Sequence, residues 1–137
     1  MLTVTEYEHE IVSLHEFFEE WFRGERSRDS FRRFERSLGA EFEQVTPNGS
    51  VVDREEIRRR VRETYGRYDD EEFSIEIRNI RPIAMPERRA LVRYEEWQTT
   101  SDGTSGRLST AWLASPDGDP EAIEWRHLQE TWMDRPD

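Results

Sequence analysis

His127 stands in a segment, residues 122–133, whose residues alternate between apolar and polar types. Histidine titrates near neutral pH, so a strand that holds one close to a carboxylate has the parts needed to move a proton. Glu96 is the carboxylate that fits. It lies in a second alternating run, residues 89–100, and Arg107 lies in a third, residues 105–114. A guanidinium beside a carboxylate keeps it ionised and oriented. His127 and Glu96 are therefore the candidate catalytic pair. Tyr94, Arg107, Ser109 and Gln129 share strand faces with them, and Tyr65 comes from an earlier helix; these five are the candidate ligand contacts. A plainer reading stays open beside each. His127 also suits a hydrogen-bonded structural position, and Glu96 with Arg107 suits a cross-strand ion pair on a solvated face.

Other chemistries are excluded or disfavoured. The chain has no cysteine, which removes disulfides, thiolate nucleophiles and Cys-ligated zinc. His9 and His15 do not have the i, i+4 spacing that puts two metal ligands on one helix face. His15 falls at the edge of an apolar stripe and suits the rim of the core. No metal site and no cofactor is expected. Arg54, Arg58, Arg59, Arg60 and Arg62 form a basic run, but Glu55, Glu56 and Glu63 sit at helical spacing to pair with them. With a net charge of −11, nucleic acid and anionic membrane are not expected partners.

The elements that must position these residues follow from periodicity. Tyr7, Ile11, Leu14, Phe18, Trp21 and Phe22 recur at steps of three and four, which predicts a helix over 5–23 closed by Gly24. Asp29 or Ser30 begins a shorter helix that carries Phe31, Phe34 and Leu38. Asn48-Gly49 predicts a hairpin turn with short strands on either side. Asp53 followed by Glu56 is a capping-box pattern and starts a third helix, with Ile57, Val61, Thr64, Tyr65 and Tyr68 on one face. From Phe73 the period changes to two, and four strands follow in a meander, with Asp102-Gly103 as one turn. Helices early and strands late predict an α+β fold, one domain over 1–137, whose sheet curls over the helices as a cone.

A two-residue turn at Asp102-Gly103 sets the faces of its two strands. Val92, Tyr94, Glu96 and Gln98 then share one face with Arg107, Ser109, Ala111 and Leu113. That face grades from apolar to polar, which suits the interior of a cone with polar groups near its mouth. The opposite face carries Trp97, Leu108 and Trp112 among charges and suits a partner surface.

The order of elements, with the phrases "FEQVTPNGSVVDREEIRRRV" and "WRHLQETW", resembles the nuclear transport factor 2-like superfamily and its SnoaL-like branch. The hairpin "YEEWQTTSDGTSGRLSTAWL" is faintly similar to calcium/calmodulin-dependent kinase II association domains of the same superfamily. The resemblance implies a cystatin-like cone, a curved antiparallel sheet wrapped on three N-terminal helices, and a homodimer paired through the outer sheet face. It also implies that the side of the last strand bearing Trp125, His127 and Gln129 is interior. Gln129 stands where a second histidine is common. Isomerases of this group use a strand aspartate as base, and no strand aspartate matches here. Two functions are therefore carried forward. One is a small-molecule pocket with acid/base chemistry of isomerase, dehydratase or hydrolase type. The other is a non-catalytic dimerisation or assembly domain that uses Trp97 and Trp112.

Composition sets the environment. No basic N-terminal region precedes an apolar run, and no stretch approaches the roughly 18 apolar residues of a membrane span, so a cytoplasmic location is expected. The chain has 31 acidic residues, and all 20 of its basic residues are arginine. Such a surface resembles halophilic proteins, where carboxylates hold water while salt screens their repulsion. The melting temperature is expected to rise from dilute buffer to molar KCl; a flat melting temperature over that range removes the halophilic reading.

Overall fold

Helix α1 (Val4–Arg23) forms where the stripe predicts it. Tyr7, Ile11, Leu14 and Trp21 are buried along one side. Phe17, outside the predicted stripe, is buried as deeply, because α1 is covered on two flanks. Its ring stacks on Trp21 at 5.5 Å and on Phe34 at 6.4 Å. Phe18 and Phe22, inside the predicted stripe, are only partly buried. The computed structural model describes residues 2–133, and among these no helix is long and apolar enough to cross a membrane.

Gly24 ends α1 with φ 73°, a left-handed conformation in which a side chain is strained. A Cβ there would also lie 3.3 Å from the Cα of Gly66. This close approach docks the end of α1 against a later turn. Gly66 donates its N–H to the Trp21 carbonyl at 3.0 Å, and Tyr68 donates to that of Phe22 at 2.8 Å.

A 3-10 turn (Arg28–Ser30) leads into α2 (Phe31–Ser37), which buries Phe31 and Phe34. Leu38 is not helical as expected; it opens strand β1 (Leu38–Val45) and is still buried. Strand β2 (Val51–Asp53) pairs with β1 across a loop that Thr46 closes by donating to the Ser50 carbonyl at 2.8 Å. The turn is thus longer than the two residues Asn48-Gly49. Helix α3 (Arg54–Glu63) starts at the predicted cap, where Asp53 Oδ1 accepts from the Glu56 N–H at 2.9 Å. Trp21 Nε1 donates to the Val61 carbonyl at 2.8 Å and ties α3 to α1.

Four long strands follow: β3 (Phe73–Ala84), β4 (Arg89–Thr100), β5 (Gly103–Ala114) and β6 (Glu124–Trp132). Pro82 lies within β3. It is tolerated because β3 is an edge strand with one side free of ladder bonds. The six strands make one curved, unclosed sheet in the order β2-β1-β6-β5-β4-β3. The expected all-antiparallel sheet is corrected at one seam, where β1 runs parallel to β6. The architecture is the α+β cone, with the helices against the sheet's inner face.

On the outer face, Trp97 lies across from Gly106, whose missing side chain makes room for its ring. A Cβ at Gly106 would sit 2.5 Å from the indole. Arg78 stacks on the same ring at 5.2 Å, and Trp97 is thereby buried within its own sheet.

Candidate functional site

The turn between β4 and β5 pairs Thr100 with Gly103, so Ser101-Asp102 form the corner. Every pair is shifted by two residues from the expected register: Glu96 faces Arg107, and Tyr94 faces Ser109. A shift of two preserves the side on which each residue points. Val92, Tyr94, Glu96, Ser109, Ala111 and Leu113 are all buried on the inner face, as the alternation predicts.

Strand β6 departs from its expected alternation. Leu113 pairs with Trp125 but Trp112 pairs with His127, so Arg126 forms a bulge. The extra residue flips the side of everything after it. Leu128 and Glu130 turn inward, opposite Ala111 and Ser109, while His127 and Gln129 turn to the outer face, opposite Trp112 and Thr110. Glu130 is 4% exposed, and Gln129 is exposed. The expected interior position of His127 and Gln129 is corrected on this geometry.

The histidine that meets Glu96 is His15, on α1. His15 Nε2 lies 3.1 Å from Glu96 Oε1, and His15 Nδ1 lies 2.8 Å from the Ile11 carbonyl. A carbonyl only accepts, and an ionised carboxylate only accepts, so both ring nitrogens donate and His15 is an imidazolium. Both side chains are buried, at 4% and 6% exposure. The rings of Tyr94 and Trp125 pack on His15 at 5.4 and 6.2 Å. The sequence carried one signal for this role: His15 is four residues from Ile11 and three from Phe18, inside the apolar side of its helix.

A cavity of about 140 Å³ opens beside this pair. Phe18, Phe22, Phe42, Ile57, Trp125 and Leu128 give it apolar walls. Its polar side is formed by His15, Glu96, Gln98, Arg107, Glu130 and Gln44. Gln98 Nε2 donates to Glu96 Oε2 at 2.6 Å, and Gln44 Nε2 donates to Glu130 Oε1 at 2.7 Å. Arg107 Nη1 donates to Glu130 at 3.2 and 3.4 Å. At the rim, Trp132 lies under the Arg107 guanidinium at 5.0 Å and donates from Nε1 to Asn48 Oδ1 at 3.0 Å.

Burial and charge divide the two carboxyl groups. Burial alone would raise the Glu96 pKa, but the charge and hydrogen bond of His15, with Arg107 and Gln98, lower it to about 2. Burial likewise opposes a charge on His15, and Glu96 and the Ile11 carbonyl outweigh it, so the His15 pKa is raised. The Glu130 pKa is raised by burial and by the negative Glu96, which together outweigh Arg107. Tyr94 is raised well above the usual phenol range, first by burial and then by Glu96 and Glu130. The Tyr94 and Ser109 hydroxyls are buried facing each other and meet no other hydrogen-bond partner among the described residues.

Among the seven residues singled out from the sequence, Glu96 and Arg107 line the cavity, and Tyr94 and Ser109 lie buried on the same sheet face. Tyr65 packs edge-on against Trp21 at 4.6 Å and donates to the Arg26 carbonyl at 2.5 Å, away from the cavity lining. Sequence reasoning missed His15, Glu130 and Gln44. No group of three or more His, Asp or Glu among the described residues is arranged to hold a metal ion.

Residues 7–134 match the family described as sucrose-6-phosphate phosphohydrolase C-terminal. An NTF-2-like protein of unknown function from Pseudomonas aeruginosa is similar at 30% identity and a TM-score of 0.86, over 94% of this chain and 99% of that one. An uncharacterised protein with a cystatin-like fold from Caulobacter vibrioides is 16% identical, with a TM-score of 0.61 over 86% and 82% of the two chains. A putative Ca/calmodulin-dependent kinase II association domain from Exiguobacterium sibiricum is 16% identical, with a TM-score of 0.57 over 99% and 98%. No curated protein matches the chain.

The cluster makes stability depend on pH in a defined direction. The lowered Glu96 contributes stability above its unfolded value of 4.5, and this is lost as pH falls towards 2. The raised His15 contributes below its unfolded value of 6.5, and this is lost as pH rises through its folded value. The raised Glu130 also favours the acid side, losing its contribution above 4.5. The cluster's contribution therefore peaks near pH 4.5 and declines above it, first through Glu130 and, from 6.5 upward, through His15 as well. Glu96→Gln is expected to cost roughly 3–5 kcal/mol, because it leaves His15 buried without its counter-charge. Urea midpoints of wild type and variant across this range read the difference, which is expected to shrink above neutral pH. A difference that stays constant with pH counts against the ion pair.

Proposed function

The chain belongs to the sucrose-6-phosphate phosphohydrolase C-terminal family and to the NTF-2-like proteins, and on that footing we propose that its cone is a small-molecule site with acid/base character. The carrying observation is the cavity in which the His15–Glu96 pair, Arg107 and Glu130 meet apolar walls. The fold itself does not choose a reaction, so the reading rests on these groups. Two carboxyls whose pKa values are pushed apart divide the roles of acid and base. Glu130, driven towards its neutral form, is the proton donor; Glu96, held ionised, stabilises positive charge in the site; Arg107 receives negative charge on the ligand. Isomerisation, dehydration and hydrolysis are the reaction types this supports, drawing only on side chains. His15 takes the role beside Glu96 that was expected of His127.

The ligand is small. The cavity, about 140 Å³, is below the roughly 300–1,000 Å³ of sites for drug-sized molecules. That size and the aromatic walls favour a small, largely apolar molecule over the phosphorylated disaccharide in the family's name.

A second reading, compatible with the first, is a homodimer paired through the outer sheet face. Leu108 is exposed there beside the half-buried Trp112 and His127. The similar fold described as a kinase association domain supports pairing, and Trp97 contributes little because it is already buried. Trp112→Arg is expected to halve the mass seen by light scattering, and a monomeric wild type counts against this reading. A cytoplasmic protein without a nucleic-acid partner fits the acidic composition.

A thermal-shift screen against small carboxylates, ketones and aromatic acids in molar KCl tests the pocket. A ligand at about 100 times its Kd adds about 2.7 kcal/mol of stability. The shift is expected in wild type and in His127→Ala, and the shift given by carboxylates is expected to fall in Arg107→Gln. A shift lost in His127→Ala and kept in Arg107→Gln would move the site to the outer face. No shift with any compound would sink the pocket reading.

A further inference from the structure

We infer that the cavity takes a small apolar monocarboxylate together with one proton, with the ligand's carboxylate on Arg107 and the proton on Glu130. This deepens the pocket reading and rests on it.

The argument starts from what Arg107 leaves unused. It spends Nη1 on Glu130. Among the described residues its Nε and Nη2 make no hydrogen bond, and its face is covered by Trp132. The guanidinium therefore reaches the cavity with donors to spare, in the fork that a carboxylate matches. Glu96 makes no hydrogen bond to them; its two oxygens accept from His15 and Gln98.

Charge then decides what accompanies the ligand. The groups facing this space are His15 from α1, Gln44 from β1, Glu96 and Gln98 from β4, Arg107 from β5 and Glu130 from β6. His15 and Glu96 cancel each other. Arg107 and Glu130 cancel each other. A ligand carboxylate would add one uncompensated negative charge to a buried site, which is costly. Glu130 is the group placed to absorb it. Burial and Glu96 already drive it towards its protonated form, and Arg107 is what opposes them. A ligand that shares Arg107 weakens that opposition, and Glu130 takes up a proton from solvent. No bond is made or broken in the ligand, and the charge of the site is unchanged by binding.

The rest of the ligand must be apolar and small. Phe18, Phe42, Trp125 and Leu128 offer no hydrogen bond except the Trp125 Nε1, which is already donated to Glu10 at 2.9 Å. An apolar cavity of about 150 Å³ admits benzene, so a cavity of about 140 Å³ limits the apolar part to about one ring, with the carboxylate at the rim on Arg107.

Benzoate is the probe, and benzyl alcohol is its neutral control. Titration calorimetry of the full chain in molar KCl, in two buffers of different ionisation enthalpy, counts protons taken up. Uptake approaching one proton per benzoate is expected once the pH exceeds the range in which Glu130 of the free protein titrates, with the Kd there rising about tenfold per pH unit. Glu130→Gln is expected to bind benzoate with no proton uptake and a flat Kd, whereas a ligand that carried its own proton would keep the slope in this variant and overturn the assignment. Arg107→Gln is expected to lose benzoate and retain benzyl alcohol, which also checks that this variant keeps its cavity. Benzyl alcohol binding to wild type without benzoate binding overturns the carboxylate inference and leaves the pocket reading intact. Binding of neither probe removes both.

Discussion

The structure turns on a charged pair buried between the first helix and the sheet. His15 and Glu96 are far apart in sequence, and their contact sets how α1 is rotated about its own axis. Once His15 faces β4, Phe18 and Phe22 face the cavity, and Phe17 is sent to the opposite flank to stack with Trp21 and Phe34. The Ile11 carbonyl fixes the imidazole from within the helix, so the ring cannot swing away without losing a second bond. The docking of Gly24 on Gly66 anchors the same helix at its far end. The cavity is the space that these two anchors leave between α1, α3 and the strands.

Charge is organised differently inside and outside. Along α3, Arg58, Arg59 and Arg60 pair with Glu35, Glu55, Glu56 and Glu63 at or near the surface. Exposed pairs of this kind are each worth between about 0 and 1 kcal/mol, and they are screened by salt. They lower the basic character of a helix that reads as Arg-rich in sequence. The inner cluster is not screened in this way. There, each charge must be met by a partner at hydrogen-bond distance, and the chain supplies one from a different element each time.

The inner face of β4 and β5 was legible because alternation alone fixes it. The turn residues were misassigned, yet an error of two positions cannot change which side a residue takes. The last strand failed for the opposite reason. One bulged residue, Arg126, exchanges His127 and Gln129 for Leu128 and Glu130, and no glycine or proline marks the place. The bulge falls where β6 also takes β1 as a parallel neighbour, a pairing made by chain segments with no turn between them. Long-range pairing of that kind leaves no local pattern. His15 was visible as a polar residue on an apolar helix face, but its partner lies on β4, and only the fold brings the two together.

Folding alone does not explain the inner cluster. Buried ion pairs are commonly no more stabilising than apolar side chains of similar volume, and removing one partner is far costlier than replacing both. A cone that only had to close would gain by filling the space beside Trp125 and Leu128 with aliphatic groups. Instead it holds His15, Glu96, Arg107 and Glu130 there, next to the buried Tyr94 and Ser109 hydroxyls, which meet no partner but each other among the described residues. The polar residues are also confined to one end of the inner face, whereas Ala90, Val92, Ala111 and Leu113 make the other end wholly apolar. Random substitution along β4 and β5 would scatter such residues over both faces and both ends. Their convergence on one small cavity, as two ion pairs, is what the proposed ligand site requires, at the expense of packing.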